Sequence, residues 1–212
     1  GQDVAELVRG SIDALRGDHA TAVGRIERLS QRSNELDPQW RRGEESMQPF
    51  IDLTAGHLEA AVDGSLRIFG ADPTSHFGLA LLAADASLLL GDAGLMAMAA
   101  EALDRVPARG RVVDAGRLGI AAGRAALDGD LEAADHAFQQ AIELWRQIDN
   151  TWQLATCLVA AARLLPDHPL SAARHEEAER LFAAMGGPTL LGRLTGASSA
   201  DLYAFQEPQG GS

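Results

Sequence analysis

A chain of 212 residues with 30 acids against 18 bases, a formal charge of −12, and 46% hydrophobic but only 5% aromatic positions has the make-up of an acidic, ordered, soluble protein. Its one cysteine, Cys157, excludes a disulfide scaffold and every thiolate-cluster metal site, and fits a reducing, cytoplasmic compartment. All 18 bases are arginine, so no phosphate-loop lysine and no Schiff-base lysine is possible, and no cofactor is implied. Nucleic acid is an unfavourable partner, because the arginines are scattered through a polyanion.

The opening residues 1–16 lack a basic leader followed by an apolar run. The longest apolar stretch, 79–90, is broken by Asp85 and Ser87 and falls short of the roughly 20 residues a bilayer requires. No membrane partner is expected. A chain that starts at Gly1 and ends in Gln209-Gly210-Gly211-Ser212 is expected to be a segment of a longer polypeptide.

Alanine, leucine and glycine dominate and strand-like alternation is absent, which predicts an all-α fold. Gly17-Asp18, Gly56-His57, Gly91-Asp92, Gly129-Asp130 and Asp167-His168 each interrupt one helical pattern and start another. The intervals between them are 39, 35, 38 and 38 residues, a period that marks a repeat. In chain order the spacing predicts helix pairs over 3–16 and 19–34, 38–55 and 58–69, 73–90 and 93–105, 111–128 and 131–148, and 151–165 and 170–185.

The fifth residue after each corner is Ala22, Ala61, Met96, Ala134 or Ala172, and the seventh before it is Gly10, Pro49, Ala84, Ala122 or Ala160. Small side chains there let paired helices approach to about 8–10 Å. Asp37-Pro38, Asp72-Pro73 and Asn150 supply start signals, and Gly186-Gly187-Pro188 is a strong stop. Pro49 predicts a kink or a later start in its helix. Residues 1–194 form the expected helical domain; 195–212 form a tail in which 200–205 is expected to dock as a short cap before a mobile end.

The small residues Gly10, Ala84, Ala122 and Ala160, the corner glycines Gly17, Gly56, Gly91 and Gly129, and the alanines Ala22, Ala61, Ala134 and Ala172 resemble those of a tetratricopeptide repeat array. His19, Leu58, Ala93, Leu131 and Pro169 stand where that family usually has tyrosine, and the period exceeds its usual 34. Long repeats of this kind, and the closing stretch 178–194, are similar to the arrays of large bacterial signalling ATPases that carry cyclase or helix-turn-helix output domains. The resemblance implies an α-solenoid of about five antiparallel helix pairs with a concave binding face. By spacing, that face is lined by Gly43, Ser46, Phe50 and Leu53; Gly78, Leu81, Asp85 and Leu88; Gly116, Gly119, Gly123 and Ala126; and Leu154, Cys157, Ala161 and Leu164.

No GxSxG, HExxH, paired CxxC or strand-linked GxGxxG element is present, so no catalytic residue is assigned. His175 and Glu179, four apart, have metal-ligand spacing but sit in an acidic segment where solvated side chains are the ordinary case. Asp85, surrounded by apolar residues, needs a partner, since burying an unpaired charge costs several kcal/mol. Arg117 and Arg124 on the next first helix are the expected ones, either in a structural ion pair or beside a carboxylate turned to a ligand.

Gly116, Gly119 and Gly123 form a stripe whose cost, about 0.5–1 kcal/mol per glycine, calls for something packed closely against it: a neighbouring helix or a partner helix. Trp40, Arg41 and Arg42 form a candidate surface contact, as do Arg105, Arg109 and Arg111 around Pro107, with a protein contact and a phosphate site both open. Trp145 and Trp152 are expected to pack as a pair. The sequence therefore predicts a non-catalytic interaction or regulatory module that binds a protein, peptide or neighbouring domain through Phe50, Leu81, Asp85, Gly116, Arg117, Gly119, Gly123 and Cys157. The alternative is a metabolite sensor using the same groove, with Asp85 and Arg117 among its polar groups.

Overall fold

A computed structural model of the chain describes residues 2–31, 38–72, 77–107, 110–187 and 189–196, with backbone alone for 2, 3 and 38–44. Among these residues every regular element is a helix. They run α1 Gln2–Arg16, α2 His19–Ser30, α3 Pro38–Ala55, α4 Leu58–Ala71, α5 Phe77–Leu90, α6 Ala93–Arg105, α7 Arg111–Leu127, α8 Leu131–Ile148, α9 Thr151–Leu164, α10 Ser171–Gly186 and α11 Leu190–Thr195.

The corners form where local chemistry requires them. Gly91 and Gly129 adopt left-handed backbone, φ +71° and +84°, which ends α5 and α7 without a Cβ clash; Gly17 and Gly56 end α1 and α3 in the same way. The aspartate after the glycine caps the next helix: the amides of Thr21, Leu95 and Ala133 donate to Asp18, Asp92 and Asp130 at 3.2, 2.8 and 3.1 Å. Between α8 and α9, Asp149 takes the left-handed position itself and Asn150 caps α9. α3 begins at Pro38, where its start signal places it, while Asp37 and Pro73 lie outside the described residues.

Two corner expectations need correction. Pro49 does not delay the start of α3, which begins at Pro38 and runs on through it, and Gly64 on α4 leaves room for the ring. The last corner is a six-residue connection over 165–170, one residue longer at each end than the 166–169 left between the predicted helices. The longer connection shifts α10 along its axis, so Ala172 is exposed and Arg174, Ala178 and Phe182 take the inward positions.

Consecutive helices pack against one another throughout, and the odd-numbered helices also touch each other: α1 with α3, α3 with α5, α5 with α7, α7 with α9. Longer-range contacts join α5 to α9, α1 to α10, and α11 to α3 and α5, so the last described helices return to the first ones. Ala22, Ala61, Met96 and Ala134 are fully buried, as the close approach of paired helices requires. One large core runs from α3 to α11, and a smaller one, Ala14, Ala22 and Ile51, seats the first pair on α3. Arg25 on α2 braces that pair through Glu6 and Asp13 of α1, at 2.8 and 2.7 Å.

Candidate functional site

Asp85 lies deep in the molecule, 6% exposed, on a helix apolar on nearly all sides. Its partners are not the expected arginines of α7. Trp152 Nε1 and Gln153 Nε2, both at the start of α9, donate to its Oδ2 at 2.9 and 3.4 Å. Desolvation dominates and pushes the carboxyl up to about 7, against the opposing pull of these two bonds. Arg117 turns elsewhere: its Nη2 donates to the Leu103 carbonyl at 2.8 Å and its guanidinium lies 3.3 Å from Asp104. The long-range packing of α9 on α5 explains the difference, because α9 reaches Asp85 across the interior.

The aromatic partners differ from expectation as well. Trp152 packs at a tilt on Phe50 of α3 at 5.7 Å and meets Phe182 of α10 edge-on at 5.6 Å; its ring contacts are with these two and not with Trp145, which is buried in the same core. Cys157, one turn further along α9, is 2% exposed, and burial pushes its thiol up to about 12, which leaves it an inert core residue.

The glycine stripe is occupied by the chain itself. A Cβ on Gly116 would come within 2.6 Å of Leu81 Cδ2, and one on Gly123 within 2.6 Å of Leu88 Cδ2 and 2.9 Å of Met96 Sδ; Gly119 has ordinary clearance from Leu88. Thus Leu81, Asp85, Gly116, Gly119, Gly123 and Cys157 are brought together in the interior against neighbouring helices, Phe50 is half-buried on Trp152, and Arg117 sits at the edge. The side chains of Trp40, Arg41 and Arg42 lie outside the described residues, as does Arg109. Arg105 covers the Phe69 ring at 5.4 Å and Arg111 donates to Gln147. Among the described residues no group of three His, Cys, Asp or Glu side chains is arranged to hold a metal.

Three arginines serve in a way the sequence did not suggest, as donors to backbone carbonyls at helix C-termini. Arg163 donates to Leu89 at the end of α5, and Arg117 to Leu103 at the end of α6. Arg193 of α11 bridges two helices, with Nη2 on Leu15 at 2.7 Å and Nε on Thr54 at 3.0 Å. Each guanidinium meets the negative end of a helix dipole.

Concavities open at the surface among the described residues. One, about 420 Å³, sits between α8 and α10 over Ile142, Leu158 and Leu170, with Arg146, Arg174 and Glu177 at its walls. Its charges are paired within the chain: Arg146 with Glu177 at 2.7 Å and Arg174 with Asp135 at 2.7 Å, though Arg174 Nη1 is buried without a partner. Another, about 650 Å³ and shallow, borders Arg193 and is lined by His19, Val23, Ile51, Asp52, Ala55 and His57. Comparison with known proteins finds no matching protein-family model, no matching curated protein and no matching solved structure.

Proposed function

We propose that this chain is a tetratricopeptide-like α-solenoid of about five helix pairs, working as a non-catalytic interaction or regulatory module within a larger bacterial signalling or transcription-regulating protein of the cytoplasm. The observation that carries the reading is the recurrence of one corner. Left-handed glycines at 17, 56, 91 and 129 are each followed five residues later by a fully buried Ala22, Ala61, Met96 or Ala134. A fold made by repeating one hairpin multiplies helix faces, and such faces bind helices, peptides or neighbouring domains by shape and apolar burial. A net charge of −12 selects against acidic partners.

The residues first assigned to the groove are engaged within the chain, which shifts partner binding to the exposed rims and outer faces of the helices. The test is a library of helical peptides screened against the immobilised full chain, with hydrogen exchange to place each binder. Saturable binders that protect one contiguous set of helices support the reading. A screen without binders, alongside metabolites that raise the melting temperature, would replace it.

A second reading, a metabolite sensor, is favoured by the cleft between α8 and α10, which has the volume of a small-molecule site and joins an apolar floor to charges of both signs.

A further inference from the structure

The corner where α11 meets α1 and α3 has the features of a receptor that already holds a ligand. Leu15 and Thr54 are equivalent positions, each two residues before its corner glycine. The corner amides bond to the carbonyls around them: Gly17 and Asp18 to Ala14 and Asp13, Gly56 and His57 to Leu53 and Asp52. The carbonyls of Leu15 and Thr54 are left to donors from elsewhere: Arg193 reaches both, with its third nitrogen on Thr189 Oγ1 at 2.6 Å, and the His19 ring shares the Thr54 carbonyl. Two helix C-termini thus form a cup for one guanidinium, the only cationic head planar enough to fork across both.

Around that arginine, Leu190, Leu191 and Leu194 are at most 2% exposed, against α3, α5 and α10. The fit is close enough that a side chain on Gly56 would strike the Arg193 carbonyl oxygen. The helix making these contacts has only six residues, too few to hold together alone, and is set between Gly187 at φ +85° and Gly196 at φ +64°. It also leaves part of the surface uncovered, since the 650 Å³ cleft beside Arg193 has half-buried Val23 and Ala55 in its lining, within reach of a longer occupant.

We infer that α11 is an in-chain occupant of a docking site for a partner helix carrying the pattern Leu-Leu-x-Arg-Leu. The partner's arginine takes the Leu15–Thr54 cup and its leucines take the places of Leu190, Leu191 and Leu194. A partner longer than α11 buries further apolar surface in the adjoining cleft. The acidic chain attracts such a basic helix, and Asp52 at the cleft wall favours a second base on it. This rests on the interaction-module reading and names the chemistry of its partner.

The experiment uses the full chain and a fluorescein-labelled peptide with the sequence of residues 187–197. In the intact chain α11 competes at the high effective concentration of a tethered ligand, so Arg193→Ala should bind the peptide about tenfold or more tighter than the wild type does. The same peptide with its arginine replaced by alanine should bind that variant about tenfold more weakly. Hydrogen exchange on the wild type should show the amides of 191–195 opening well below the energy of global unfolding.

Unchanged peptide affinity in a folded Arg193→Ala chain overturns the inference, and so does α11 exchange as slow as that of α7 and α9. An Arg193→Ala chain that fails to fold overturns it too, since α11 is then part of the core. Light scattering reads the competing occupant: a wild-type dimer that the peptide dissociates would assign the site to exchange of α11 between copies. The broader interaction reading is decided separately, by whether the peptide library yields binders elsewhere on the chain.

Discussion

Asp85→Asn isolates a deeply buried carboxyl whose titration the fold strongly perturbs. The amide keeps an oxygen for Trp152 Nε1 and removes the ionisation. In the folded chain the Asp85 carboxyl stands at about 7, against an ordinary 3.8. Between those values the folded state holds a proton that the unfolded chain has released, so the wild-type fold loses stability as pH rises, and the loss is complete above about pH 7. A difference of about three pH units at 1.36 kcal/mol each makes the full loss about 4 kcal/mol, relative to a variant that cannot ionise.

Urea unfolding followed by tryptophan fluorescence, on both proteins from pH 4 to 8.5, reads this directly, because every other titrating group cancels in the difference. Asp85→Asn should be near neutral at pH 4 and the more stable protein at pH 8. A flat difference curve, or one that favours the wild type as pH rises, would mean that the carboxyl is charged in the fold and that desolvation does not govern it.

His19 has the opposite sign. Burial, then the neighbouring Arg193, hold it below 6.5, and its Nε2 is buried without an acceptor. The stability this contributes is present above pH 6.5 and lost as pH falls below it, so an NMR titration should find His19 below 6.5, and His19→Gln should flatten the acid limb of the stability curve. Gly56→Ala and Gly129→Ala both place a side chain at φ near +85°, at about 1–2 kcal/mol each, but only at Gly56 does the new Cβ strike backbone, the Arg193 carbonyl. Gly56→Ala should therefore cost about 1–3 kcal/mol more than Gly129→Ala in urea unfolding, and equal costs would contradict the docking of α11. Along the α7 stripe, Gly119→Ala should stabilise by about 0.5–1 kcal/mol, whereas Gly123→Ala, crowded by Leu88 and Met96, should destabilise; matched gains in calorimetry would refute that packing.

What was legible in the sequence is what short windows encode. The corners at Gly91-Asp92 and Gly129-Asp130 carry their own chemistry, a left-handed residue and then a cap, so α6 and α8 begin and end at the residues the spacing predicts. Asp85 was recognisable as a buried carboxylate from its apolar neighbours alone. Its partner was not, because Trp152 lies 67 residues away on a helix whose position depends on small angles accumulated over several pairs. The same holds for α11: Leu190, Leu191 and Leu194 have helical spacing beyond a strong stop signal, but nothing local says that they seat on α3 and α5. The longer corner around Asp167-His168 had a local warning, the absence of glycine. Without a left-handed residue there the chain needs six residues to turn, and Arg174 moves inward to meet Asp135.

The arginines connect these points. Arg163 and Arg193 give up hydration over the ends of α5, α1 and α3. Desolvation lowers both guanidinium groups from their usual range, which is unfavourable unless the surroundings are negative. Helix C-termini supply that negative potential, and their backbone carbonyls supply the acceptors. Each of these arginines comes from late in the chain, α9 or α11, and each acceptor from the first three odd-numbered helices. Packing of the late helices on the early ones is therefore directional: apolar burial brings α9 and α11 inward, and the guanidinium groups fix which helix ends they meet.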